Sequence, residues 1–217
     1  MFLEYIHSVI FFFITLLPVA NPLTSTTLLL TLGKNLKDTE RKKQIYLATF
    51  YVAIIMLICF YAGKEILNAF GVSINALRFT GGIILFFFGF NMLFKVTDQD
   101  THFTDTNNKD KTYINLSFVP LALPGTAGPG TIALIINSSS SLPSSFLIHF
   151  VIFSVTALFS FLFFISLLSA NKLFNLLGHS GIDAISRIMG LLLISMGIQF
   201  IITGLQTLLT VLFHLYS

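Results

Sequence analysis

The sequence predicts an all-α polytopic membrane protein: six transmembrane helices in two inverted three-helix repeats, with helices 1 and 4 broken near the membrane midplane. Three observations lead there. Apolar residues make up 55% of the chain and charged residues only 10%. Uncharged stretches run through Ile45–Ala62, Phe79–Phe94, Thr112–Ile148, Phe150–Ala170 and Ile188–Phe213, where about 20 apolar residues suffice for one helical crossing. Soluble domains do not have this composition, and the runs lack the alternation of membrane-barrel strands. The second observation is a set of prolines and glycines inside apolar runs. The third is a repeat of motifs at an offset of 107–109 residues.

Spans are expected at roughly 5–32, 44–64, 74–95, 114–138, 145–170 and 183–209. The first contains "LLPVANPLTSTTLLLTL" (16–32). A proline inside a helix removes a hydrogen bond, costs about 3 kcal/mol and pushes its predecessor out of the helical region. In hydrocarbon, each freed backbone group must be satisfied by protein or trapped water. Pro18 and Pro22 therefore predict non-helical backbone lining a cavity, with a half-helix restarting at Asn21-Pro22. Asn21 is a good cap and Pro22 suits the first turn. The second span holds the only cysteine, Cys59, which cannot form an internal disulfide. The third opens with Arg78, which has Asn75 on its face and no acid. An arginine at helix centre costs about 2.5–3.5 kcal/mol, which leaves two readings: it snorkels to the nearer interface, or it binds a substrate carboxylate. Gly81, Gly82 and Gly89 below it suit close helix packing.

Residues 96–112 read as a solvated cytoplasmic linker between a first repeat (1–95) and a second (113–217). The linker's "DQDTH" lacks the glycine and glutamate of a calcium loop. The fourth span contains "VPLALPGTAGPGTIALII" (119–136). Pro124 and Pro129 break it, and Gly128-Pro129 restarts a half-helix as Asn21-Pro22 does. The sixth span opens with Arg187, and Asp183 four residues earlier makes a structural ion pair with it. Gly190, Gly197 and Gly204 follow at seven-residue spacing. "GVSINALRFTGG" (71–82) parallels "GHSGIDAISRIMG" (178–190), and three spans per half makes the repeats inverted, as in many secondary transporters. If spans 1 and 4 are instead re-entrant hairpins, the repeats are parallel and both termini cytoplasmic. Lys34, Lys37, Arg41, Lys42, Lys43, Lys95, Lys109, Lys111 and Lys172 fall on one side of a six-span chain and only Lys64 on the other. That asymmetry puts the basic loops in the cytoplasm and both termini outside.

The N–H groups of each restarted half-helix form a positive pole suited to a carboxylate. The candidate substrate-binding set is Asn21, Pro22, Thr24, Ser25, Thr26, Arg78, Gly125, Thr126, Gly128, Pro129, Gly130 and Thr131. The competing reading makes the breaks mere kinks whose hydroxyls bond their own backbone. No acid other than Asp183 lies in an apolar run, which argues against a cation pump or metal exporter. No H-E-x-x-H, Walker or G-x-S-x-G motif is present, so no enzyme, metal or cofactor is expected. The basic residues flank spans and imply no nucleic acid. Histidines near span ends, such as His149, read as interfacial packing.

"LPVANPLTSTTLLLTL", "FGVSINALRFTGGIILFFFGFNMLF", "FVPLALPGTAGPGTIALII" and "SGIDAISRIMG" resemble the MarC family of bacterial inner-membrane proteins, over nearly the whole chain. The paired N-P and A-G-P-G-T motifs are specific to that family. The resemblance implies a LysE-like transporter with six spans from a duplicated three-span unit. It further implies residence in the inner (plasma) membrane and secondary transport of small neutral amino acids such as alanine and glycine. The implied partners are membrane lipids, the amino acid, a proton or sodium ion for coupling, and further copies in a homo-oligomer. Ser180 stands where many members carry a second glycine. Two other classes stay open: export of other small solutes or drugs, and a non-transporting membrane scaffold.

Overall fold

A computed structural model describes residues 2–33, 36–94, 116–123, 126–141 and 146–216. Every regular element among them is helical: α1 (Phe2–Val19), α2 (Pro22–Leu32), α3 (Asp38–Ala69), α4 (Ile74–Phe94), a wide π turn (Ser117–Ala122), α5 (Pro129–Ser141), α6 (Phe146–Leu168) and α7 (Ala170–Tyr216). Among the described residues four helices are long and apolar enough to cross a membrane, and α1 with α2, bent by 41° at their junction, makes a fifth when counted as one span. The stretch expected to hold a broken fourth span carries the π turn and α5, neither long enough by itself to cross a membrane. The 96–112 linker, Pro124 and Gly125 lie outside the described residues.

Side-chain contacts define two ends of the bundle. Arg41 at the start of α3 reaches Asn171 at the start of α7 (3.5 Å), Gln44 accepts from the Ser117 N–H (2.8 Å), and Arg187 donates to the Leu93 carbonyl at the end of α4 (3.2 Å). This end gathers Lys37, Arg41, Lys42, Lys43 and Lys172. At the other end Tyr5 bonds Ser154 (2.6 Å), His149 bonds Tyr61 (3.1 Å), and Arg78 bonds Asn137. α3 therefore runs antiparallel to α6, and α4 to α7. Acidic Asp38 and Glu40 in the first turn of α3 complement its dipole.

α6 is the central helix. Phe159, Phe163 and Leu167 are fully buried in it, against a core that includes Leu29 of α2 and Ala48 and Val52 of α3. The outer surface is equally apolar: Phe87, Phe153 and Phe161 are 62%, 67% and 62% exposed. A surface of this kind faces lipid rather than water.

α4 and α7 touch backbone to backbone. A Cβ on Gly82 would come within 2.6 Å of the Gly197 carbonyl, and one on Gly197 within 2.6 Å of the Gly82 carbonyl. Gly89 and Gly190 face each other in the same way, at 2.6 and 2.8 Å. The seven-residue glycine spacing thus does what small residues do in membrane helices, letting two backbones meet without side chains between them. Gly82 and Gly190 are 108 residues apart, as are Gly89 and Gly197. Exchanging repeat mates turns one contact into the other, which is the reciprocity of a two-fold-related interface.

The G-x-S turns of the repeat also match. Gly71 and Gly178 have φ of 68° and 63°, and no other described residue has positive φ. Neither has an atom within 4 Å of its absent Cβ, so conformation, not space, requires glycine there. After Gly71, Ser73 accepts the Ala76 N–H (3.1 Å) and starts α4. The Gly71 turn joins α3 to α4 at one end of the bundle, and the Gly178 kink precedes the spanning part of α7 at the basic end.

Candidate functional site

The first break falls at Ala20–Asn21. Pro18, expected to contribute to it, stays within the last turn of α1. A proline there deletes only the bond to the Ile14 carbonyl, and the helix ends one residue later. Asn21 leaves the helical region (φ −40°, ψ 105°) and its Oδ1 accepts the Leu23 N–H at 3.1 Å. Pro22 follows as the first helical residue, where its missing N–H costs nothing. The expected cap and restart are both present.

The second break is built differently. Pro120 cannot donate to the Leu116 carbonyl, and Leu121 takes that acceptor instead (3.1 Å). The same five-residue step recurs from Leu123 to Phe118 (2.8 Å) and from Ala127 to Ala122 (2.8 Å). Val119 is extended within this wide turn (φ −121°, ψ 124°). α5 then restarts at Pro129, with the Gly128 carbonyl accepting from Ile132 (3.0 Å). Gly128-Pro129 thus mirrors Asn21-Pro22.

The breaks meet. Ser25 Oγ donates to the Leu121 carbonyl (3.2 Å) and shares a hydrogen bond with Thr126 Oγ1 (2.7 Å). Thr131 Oγ1 donates to the Thr126 carbonyl (2.8 Å), and Thr26 Oγ1 to the Pro22 carbonyl (2.9 Å). Asn21, Ser25, Thr26, Thr126 and Thr131 are all buried, with no charged group among them. From this seam α2 extends about 16 Å toward the basic end and α5 about 20 Å toward the other. The contact therefore sits near mid-height of the bundle.

Other candidates fall elsewhere. Thr24 is exposed, and so is Pro129, while Pro22 is buried and Gly128 half-buried. Gly130 is buried because a Cβ there would meet Leu85 of α4 at 2.6 Å. Arg78 is half-buried and donates through Nε to Asn137. That position is eight residues beyond Pro129, about 12 Å along α5 from the seam. Arg187 is exposed and Asp183 half-buried on the same helix. Gly125 lies outside the described residues. Asn137, Gln44 and Ser117 tie elements together and were missed as sites. Asn137 and Gln44 sit at the polar edges of apolar runs and Ser117 bonds through its backbone N–H, and none of these features reveals its partner. His149 packs on Tyr61, the rings stacked at 5.6 Å.

A cavity of ≈ 30 Å³ lies between α1, α3, α5 and α6. Its wall is apolar, including Leu16, Met56, Leu134 and Val155, with Ser138 and Thr156 as its hydroxyl residues. Leu16 is one helical turn before the first break, and none of the hydrogen-bonded seam residues lines the cavity. Among the described residues no cluster of histidine, cysteine or acid could hold a metal.

The inner membrane protein MarC of Escherichia coli K12 and that of Shigella flexneri are each 43% identical to this chain over 201 residues, covering 88% of it and 91% of the relative. No solved structure matches it. The relatives' inner-membrane designation agrees with several apolar spans, and the chain is a multi-pass inner-membrane protein. Residues 6–209 match the description "MarC family integral membrane protein", and the chain belongs to the MarC family.

Proposed function

We propose that this protein is a secondary transporter of small neutral amino acids, built as two inverted three-helix repeats whose broken first helices meet at the substrate site. The observation that carries this reading is the Ser25–Thr126 hydrogen bond at 2.7 Å, which joins the two breaks inside the bundle. Irregular backbone at membrane depth is tolerated where it is buried in protein or lines a cavity, and in transporters of this construction it marks the binding site. The reciprocal glycine contacts between α4 and α7 and the paired left-handed glycines support the inverted repeat.

The chemistry of the seam suits a zwitterion. Half-helix N-termini favour the carboxylate, and carbonyls at Leu121 and Thr126 with the hydroxyls of Ser25 and Thr131 suit the ammonium group. Among the described residues of the seam no charged group is present to select a charged side chain. The apolar cavity that starts at Leu16, one turn before the first break, suits a methyl-sized substituent. Arg78 of α4, bonded to Asn137 well along α5, belongs on this reading to the route from the end opposite the basic loops.

The test is uptake of labelled alanine and glycine by purified protein in proteoliposomes, against protein-free liposomes, with a proton or sodium gradient imposed. Uptake above the control is expected, and Gly128→Leu, which fills space at the second break, should abolish it while membrane insertion persists. Uptake of other solutes but not amino acids would replace the substrate class. No uptake of any solute would favour a scaffold.

A further inference from the structure

Asn21 carries a group that the break itself does not need. Its Oδ1 is committed to the Leu23 N–H, and an amide whose oxygen must face a donor cannot be flipped. Nδ2 is therefore fixed as the other half of the amide, held over the start of α2. The residue is 5% exposed, yet among the described residues Nδ2 has no hydrogen-bond partner. Buried polar groups in folded proteins are nearly always satisfied, and this one sits where a helix N-terminus also presents donors. Ser25, one turn further along α2, is at the seam with Thr126 and the Leu121 carbonyl.

Capping does not explain the orphan. Asn, Asp and Ser cap helices about equally well, and only asparagine adds a second, donating group. The other unpartnered buried atom among the described residues, Ser160 Oγ, is less telling, because a hydroxyl can rotate onto the carbonyl one turn back. The Asn21 amide has no such freedom. Its unmet capacity is for an acceptor, which excludes an ammonium group and fits a carboxylate oxygen.

Resting on the transport reading above, we infer that Asn21 determines substrate specificity, its Nδ2–H donating to the substrate carboxylate when the seam opens, while its Oδ1 keeps α2 capped. One side chain then couples the start of the half-helix to the ligand.

The experiment compares wild type, Asn21→Ser and Asn21→Asp in alanine-uptake proteoliposomes, with membrane insertion and thermal unfolding measured alongside. Both variants keep a cap acceptor and lose the amide NH2 group: Asn21→Asp has no donor when ionised, and Asn21→Ser keeps only a hydroxyl hydrogen on the capping oxygen itself, one atom short of the position of Nδ2. KM for alanine should rise at least about tenfold in Asn21→Ser and further in Asn21→Asp, which sets a carboxylate against a carboxylate. Maximal rate should change less, and the unfolding temperature should stay close to wild type. A role confined to capping would leave both KM values unchanged, and that result overturns the inference while the transport reading stands. Variants that fail to fold would equally overturn it, by showing the amide to be structural. A wild type that takes up no carboxylate-bearing solute removes the amino-acid reading and this inference together.

Discussion

Ser25 and Thr126 show how a hydroxyl in an apolar segment gains a definite role. Most such hydroxyls bond the carbonyl one turn back, as Thr26, Thr49 and Ser195 do here. Ser25 instead reaches across to another segment, because the Leu121 carbonyl is held in place by the π turn. A buried hydrogen bond of this kind contributes about 0.5–1.5 kcal/mol. Ser25→Ala and Thr126→Ala combined should therefore show a coupling of that order in a double-mutant cycle, read by unfolding in detergent. Additive effects would mean that the two hydroxyls do not hold the breaks together. Thr24 is the internal control: it is exposed, and Thr24→Ala should change stability by less than about 0.5 kcal/mol.

At the scale of elements, α4 and α7 form the tightest pairing in the bundle. Their contact is carried by Gly82 with Gly197 and Gly89 with Gly190, each pair separated by less than the thickness of a side chain. Overpacking a filled interior costs about 1–3 kcal/mol, and here the obstacle is backbone, which cannot turn aside. Gly82→Val or Gly197→Val should cost at least that much, seen as a lower unfolding temperature. Gly71→Val should also destabilise, but for a different reason: its surroundings are open and only its positive φ is at stake. Equal tolerance of valine at positions 82 and 71 would contradict the close approach of the two helices.

The whole molecule has a basic end and an end almost without lysine. Lys37, Arg41, Lys42, Lys43 and Lys172 lie together because Arg41 bonds Asn171 across the bundle. Cytoplasmic basic loops are the rule for inner-membrane proteins, so both termini are predicted to be periplasmic. Reporter fusions at the C-terminus and in the loop before α3 should report opposite sides of the membrane. Because α3 runs antiparallel to α6 and α4 to α7, a cytoplasmic C-terminus would instead place the basic end outside, against the charge rule.

Composition and the absence of strand alternation determined the helical membrane class, since only helices and closed barrels satisfy their backbone within lipid. The first break was legible too: Asn21-Pro22 is a local signal, acting through a cap and a missing N–H that need no distant partner. So were the glycine stripes, although their pairing was not. Three things required the tertiary structure. Pro18 stayed helical because a proline's effect depends on which carbonyl it deprives and how soon the helix ends. Arg78 went to Asn137 rather than to the breaks because α5 carries that asparagine two turns away from the seam. The meeting of Ser25 with Thr126 spans 101 residues, and nothing local to either one names the other. Propensity and capping act within a turn, whereas the choice of partner depends on how whole helices cross, and that is decided by glycine contacts and side-chain volumes far along the chain.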